Sequence, residues 1–354
     1  MKGTVGKVAV VLMAAAFAGP AIALFTSSES EGANEFTSYY DQLDANGKAI
    51  FDAVRAADAD TRDIAVGLPF ILSARSDNKE DAQKYVIGLV ENSINAAFAA
   101  LRLSAPMAYW GWGPSRIEDT YNITFAPDNT VSVVSVSFSI SVGSFPVDKD
   151  TGEPPDIQKM LDDLDAAVKG FSTSNTTVRG KVLDINNYLV KLVTYDPNMG
   201  KDDESRFAHD AYGALADSSH YAVCDGYSKA FLLLCEKEGI ECVVVNGTSL
   251  KDKINHAWNY VKLDNGKWYG IDVTWNDGSN NAHFLRGSDV FFSTHHQGTF
   301  LETGELPYPF KSPPISKTDY DTDNAWYLQY SWVLAAAIVA LISIVIYRQA
   351  RGRI

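Results

Sequence analysis

This chain has little cysteine: three in 354 residues, Cys224, Cys235 and Cys242. An odd count in so long a chain excludes a disulfide-built scaffold and allows at most one internal bridge. Basic residues are also in deficit, 30 Lys and Arg against 44 Asp and Glu, for a net charge of −14. That balance repels phosphate backbones, and no nucleic-acid motif is present, so no nucleic-acid partner is expected. Histidine is scarce, six residues in all. No Cys/His/acid spacing in the sequence matches a metal site, so neither a metal nor a cofactor is expected. No internal repeat is visible.

The two ends are what the composition does hold in excess. Residues 1–23 combine Lys2 and Lys7 with the apolar run "VAVVLMAAAFAG" and end in "AIA", the pattern of a signal peptide. An uncleaved N-terminal anchor is the alternative. Residues 332–347 form an apolar run that the flank from Trp326 extends to 22 positions, with Trp326, Tyr327, Tyr330 and Trp332 at the near end and Arg348, Arg351 and Arg353 just beyond. Length, aromatic belt and trailing arginines predict a transmembrane helix with 348–354 in the cytoplasm. The five charges outside 24–325 are all basic, so subtracting them takes −14 to −19 for the part expected outside the cell. The expected location is therefore the cell membrane, single-pass, with the N-terminal part extracellular.

Residues 24–170 read as a helical and β-hairpin region. "YYDQLDANGKAIFDAVRAA" and "EDAQKYVIGLVENSINAAFAALRL" have helical spacing, with Asp44 placed to cap the first. "IAVGLPFIL" between them reads as a short extended piece. "DTYNITFAPDNTVSVVSVSFSIS" alternates around the turn "PDNT" and predicts a hairpin. Two amphipathic helices follow, in "IQKMLDDLDAAVKGF" and "VRGKVLDINNYLVKLVTYD". From 171 to 301 a helix at about 227–238 precedes the strand "CVVVNGT" and a second hairpin that turns at Asn265-Gly266. A helix followed by antiparallel strands implies an α+β class. Residues 302–325, rich in Pro and Asp, read as a stalk.

Chemistry concentrates in "YAVCDGYSKAFLLLCEKEGIECVVVNG" (221–247). Cys224 precedes an apolar helix, and a helix N-terminus supports a thiolate through its unpaired N–H groups and dipole. A small core residue is the bland alternative. His256 opens the strand "HAWNYVKL", and Asp272 lies in "GKWYGIDVTW" on the partner strand. The hairpin centre predicts that the two face each other across the pair. An aspartate among apolar strand residues is costly to bury and implies a partner. Cys235 and Cys242 read as packing, with a bridge between them left open. Trp258, Trp268, Tyr269 and Trp275 read mostly as core, with one free to line a substrate groove. His220 and His283 read as incidental, and His295-His296 as a loop pair without a partner.

"AVCDGYSKAF", "NHAWNYVKL" and "YGIDVTW", with their spacing, resemble the transglutaminase-like superfamily (the papain-like cysteine core) in its secreted bacterial and archaeal form, over about residues 180–295. The resemblance implies a transglutaminase-like core: a helix N-terminus carrying the cysteine, packed on an antiparallel sheet. It implies that Cys224 is the nucleophile, His256 the base and Asp272 the orienting acid. It also implies an oxyanion donor in the Cys224 N–H, with "HDAYGAL" (209–215) as the upstream motif. The expected partner is a peptide or protein substrate, cell-surface ones included, and the expected activity is that of a cysteine hydrolase or acyltransferase. A surface binding module on the same fold, without catalysis, is the rival.

Overall fold

The computed structural model describes residues 9–10, 38–57, 63–107, 116–141, 148, 151–153, 155–298 and 310–320. The expected transmembrane helix and tail lie outside these. So does the expected signal peptide, apart from β1 (Ala9–Val10), which pairs with Arg75 and Ala74.

The N-terminal half is a four-stranded antiparallel sheet, in the order β1-β2-β4-β3, backed by two helices. Helix α1 (Ala45–Ala56) begins where expected, because Asp44 accepts the Gly47 N–H at 2.6 Å. Strand β2 (Asp63–Arg75) is far longer than the sequence suggests. Ile64, Val66 and Leu68 alternate inward; the register then shifts between Gly67 and Leu72. Pro69, which cannot donate to a ladder, sits in that break. The Asn46 side chain takes the place of a strand there, bonding both the N–H and the C=O of Phe70 at 3.0 Å. The predicted hairpin is present as β3 (Arg116–Phe125) and β4 (Thr130–Ser141).

Helix α2 (Lys79–Ser104) is long and apolar enough to cross a membrane, and among the described residues it alone is. It is nevertheless a core helix here: Val86, Val90, Ala97, Ala100 and Leu101 are fully buried against the sheet. Each such valine or leucine contributes roughly 1.5–3 kcal/mol by leaving water.

In the C-terminal half, α3 (Ile157–Gly170) and α4 (Val178–Leu192) lead through the short parallel pair β5 (Thr194–Tyr195) and β6 (Tyr221–Ala222), with α5 (Ala211–Leu215) between them. Helix α6 (Cys224–Lys237) follows, then β7 (Cys242–Ser249), β8 (Asn255–Lys262) and β9 (Trp268–Ile271). Two short helices, α7 (Val273–Asn276) and α8 (Ser288–Phe291), precede β10 (His295–Gln297). The sheet order is β10-β7-β8-β9, all antiparallel. Helix α6 is buried from Gly226 to Cys235, and most side chains of that stretch are apolar, as burial on several sides requires. Phe231 and Leu234 pack with Val182, Ile185 and Leu189 of α4 and with Val261 and Ile271 of the sheet. Val243, Val245, Trp258 and Tyr260 join the core of the N-terminal half instead. The sheet is thus sandwiched, and Tyr39 ties the halves by donating to Val244 O at 2.8 Å.

Residues 310–320, expected within a stalk, lie along this body. Gln42 and Lys311 exchange two hydrogen bonds, at 2.8 and 3.0 Å, and Ser316 donates to Trp268 O at 2.7 Å. Asp319 pairs with Arg286 and accepts the Gly287 N–H.

Candidate active site

Cys224 is the first residue of α6, and no side chain caps that helix end. The chain enters through β6 and Val223, the N-cap of α6, whose N–H donates to Ala208 O at 2.9 Å. Gly226 permits this approach: a Cβ there would sit 2.5 Å from Ala208 O. The buried Lys229, one turn on, donates to His209 O at 2.9 Å and to Asp225 at 3.2 Å, fastening the upstream motif to the helix. Asp225 is held below the usual carboxylate range: burial pushes it up, but the Lys229, His209 and Arg102 charges outweigh that.

His256 and Asp272 do meet, though not by direct cross-strand pairing. The ladder sets Asn259 level with Ile271, two residues away from the register that direct pairing of His256 with Asp272 requires. Asp272 is past the last paired residue, at the N-cap of α7. Its Oδ1 accepts the Trp275 N–H at 3.0 Å, and its Oδ2 turns back to accept His256 Nε2–H at 2.8 Å. Nε2 being committed there, Nδ1 is the ring atom left for Cys224, whose thiol helps to raise the pKa of this ring. Trp275 stacks on the imidazole, with centroids 4.9 Å apart and 24° between planes. It is the partly exposed member of the four aromatics; Trp258, Trp268 and Tyr269 are buried core.

A second histidine reaches the same carboxylate. His295 was expected to be a partnerless loop residue; instead it is 1% exposed on β10, with Nε2 donating to Asp272 Oδ2 at 3.1 Å. No local pattern announces it, because β10 is three residues long and pairs with β7, 46 to 50 positions earlier. Its neighbour His296 is exposed. His283 is half-buried edge-on to Trp275, and burial pushes its pKa down. His220 occupies a left-handed turn (φ 49°) with its ring on Ala214 O at 3.0 Å. Cys235 is buried and Cys242 partly so, and all three thiols are free.

The ligand atoms of His256, Asp272 and His295 lie within 4.8 Å of one another, a grouping that the sequence did not reveal. Both imidazoles already donate to the carboxylate, so hydrogen bonding accounts for the group as it stands.

The electrostatics follow from this geometry. Burial pushes the His256 pKa down, but the hydrogen bonds with Asp272 and Cys224 outweigh it and push the ring up to about 10 from its ordinary 6.5. Burial likewise raises Asp272, and the bonds from His256 and His295 overcome it, holding the carboxyl well below its usual range. Linkage sets the signs. The depressed Asp272 stabilises the fold above its ordinary 3.8, and that contribution is lost as pH falls through its folded value. The raised His256 contributes fully below 6.5 and loses its contribution as pH rises through about 10. Stability measured by denaturant titration is therefore expected to be greatest between about pH 4 and 6.5 as far as this pair decides it. In a His256→Ala variant the decline on the alkaline side should disappear.

Residues 165–273 match the family model of the transglutaminase-like superfamily core. The kyphoscoliosis peptidase of Mus musculus is 32% identical over 92 residues, covering 22% of this chain and 14% of that protein. The Homo sapiens protein of the same name is 30% identical over 92 residues with the same shares. The chain thus spans a small part of the length of these relatives. A crystal structure of a TGase aligns at 17% identity with a TM-score of 0.27, over 45% of each chain. The cysteine-bearing helix packed on an antiparallel sheet is an α+β, papain-like core, and residues 165–273 of it are similar to the transglutaminase-like superfamily core.

Proposed function

We propose that this protein is a surface-anchored cysteine enzyme that transfers acyl groups from peptide or protein amides through Cys224, His256 and Asp272. The observation that carries the reading is the His256 ring, held by Asp272 at 2.8 Å, with Cys224 at a helix N-terminus helping to raise its pKa. In the first step the Cys224 sulfur attacks the amide carbonyl carbon and a C–S bond forms. The tetrahedral oxyanion gathers where the unpaired N–H groups of the α6 N-terminus point. As it collapses the C–N bond breaks, and His256 gives its proton to the departing amine. A second nucleophile, water or a primary amine, then loses a proton to His256 and attacks the thioester. The acyl group leaves with it and the thiolate is restored. Asp272 keeps the imidazole in the tautomer and orientation that both proton transfers need.

Water as acceptor makes the protein a peptidase or deamidase, and an amine makes it a cross-linker. The apolar stretches at the two ends support anchorage with the acidic body outside the cell, where peptide amides of the surface are within reach. A peptide library incubated with the full chain in detergent, with and without a primary amine, tests the proposal by mass spectrometry. Hydrolysed bonds, deamidated glutamines or amine adducts that vanish with Cys224→Ala are expected. An unchanged library under all conditions would leave the binding-module reading in its place.

A further inference from the structure

We infer that His295 is a positioning residue of this site, acting on Cys224 through Asp272 and His256; the inference rests on the acyl-transfer reading above. Asp272 is fully buried, and its carboxylate has three donors: Trp275 N–H on Oδ1, and His256 and His295 together on Oδ2. The Cα–Cβ–Cγ–O torsion of an aspartate is broad. With a single donor on Oδ2 the carboxylate swings and carries the His256 ring with it. A second donor on that oxygen, arriving from a different strand, removes the freedom.

His295 is itself held by a built cradle. Its ring lies flat on Phe291, with centroids 4.0 Å apart and 8° between planes, and edge-on to Trp258 at 4.9 Å. Thr294 Oγ1 stands 2.9 Å from Nδ1, which leaves Nε2 for the carboxylate. Phe291 in turn occupies space that only a glycine leaves open: a Cβ on Gly270 would fall 2.7 Å from its ring. Gly270, Phe291 and His295 thus form a stack that ends on Asp272. A phenylalanine at 295 would fill the same volume without burying two ring nitrogens, so packing by itself does not call for histidine.

Two effects of His295 oppose each other. Sharing Oδ2 draws carboxylate charge away from His256, while aiming the carboxylate strengthens the His256 bond. At 2.8 Å that bond is already within the short range of charge-assisted pairs. Little is left to gain from extra charge, so aiming dominates, and loss of His295 slows the site.

The test is the rate of Cys224 alkylation by iodoacetamide in the detergent-solubilised full chain, read on the Cys224 peptide across a pH series. His295→Phe is expected to lower the neutral-pH rate about tenfold, and His295→Gln, which keeps a donor, to recover it to within about threefold of wild type. Thr294→Val, which leaves the ring stack intact, should slow it in the same direction by a smaller factor; it decides the matter if the position 295 variants do not fold. A folded His295→Phe protein alkylating like wild type at every pH overturns the inference. So does a Gln variant no faster than Phe, or an unaltered Thr294→Val. A wild-type rate that changes with added zinc or a chelator would assign the three residues to a metal instead. His256→Ala separates the levels: if it leaves the profile unchanged, the acyl-transfer reading itself fails. If it slows labelling while His295→Phe does not, only the positioning role falls.

Discussion

Cys224→Ala is expected to remove amide turnover and to lower the His256 pKa in the same variant. Loss of a nucleophile that works as one unit with its base costs a hydrolase about 10⁴-fold or more. Alanine fits this position, because the first turn of α6 is held by Gly226 against Ala208 and by Lys229 on His209 O, neither of which involves the sulfur. The fold should survive. The second effect is the more diagnostic. Burial drives the His256 ring towards its neutral form, and the hydrogen bond that it donates to Asp272 overcomes that together with the influence of the Cys224 thiol. Deleting the thiol leaves Asp272 alone against burial, so the ring should titrate below about 10. Proton NMR of the imidazole C–H signals against pH, wild type beside variant, measures this. A His256 signal titrating identically in both would show that the thiol is not its partner, whatever the loss of turnover.

Asp272→Asn is expected to lower the reactivity of Cys224 roughly 10- to 1,000-fold and to cost stability as well. In a serine-protease triad the corresponding change costs about 10⁴-fold. A thiolate depends less on its base, hence the smaller range. The stability cost comes from counting acceptors. The carboxylate takes the Trp275 N–H on Oδ1 and two imidazole N–H groups on Oδ2, all out of contact with water. An amide has one acceptor oxygen. Turned towards the histidines it presents its NH₂ to the Trp275 N–H; turned the other way it presents NH₂ to two N–H donors. Either orientation leaves buried donors unmatched, at about 1–3 kcal/mol each. Without the anionic charge His256 also loses its strongest support against burial, so its pKa falls. Alkylation rate against pH, together with denaturant unfolding, checks both parts. Superimposable pH curves would reduce the catalytic group to Cys224 and His256.

Local chemistry explains why the three candidate residues were legible. A cysteine ahead of an apolar helix, a histidine opening an alternating strand and an aspartate among aromatic strand residues each carry short-range signals. The hairpin turn was legible too: Gly266 has φ of 74°, where the reversal needs it. The register was not. Midpoint counting matched His256 with Asp272 as direct cross-strand partners, whereas the ladder is offset by two residues and Asp272 caps α7. A strand's alternation is blind to where pairing ends, and a four-residue helix leaves too faint a periodicity to mark that end.

By itself, then, the sequence determined the α+β class and singled out Cys224, His256 and Asp272 as candidates, because each of these signals depends on residues within a turn or a strand of one another. Tertiary structure alone decided the rest. It brings His295 onto Asp272 from β10, 23 residues away and across α8, and it sets Phe291 over Gly270. It lays residues 310–320 along the body and closes the sheet between α6 and the N-terminal half. These contacts join segments with no shared periodicity. They form because burial of apolar faces selects one mutual arrangement, and the buried polar groups then find partners only within it.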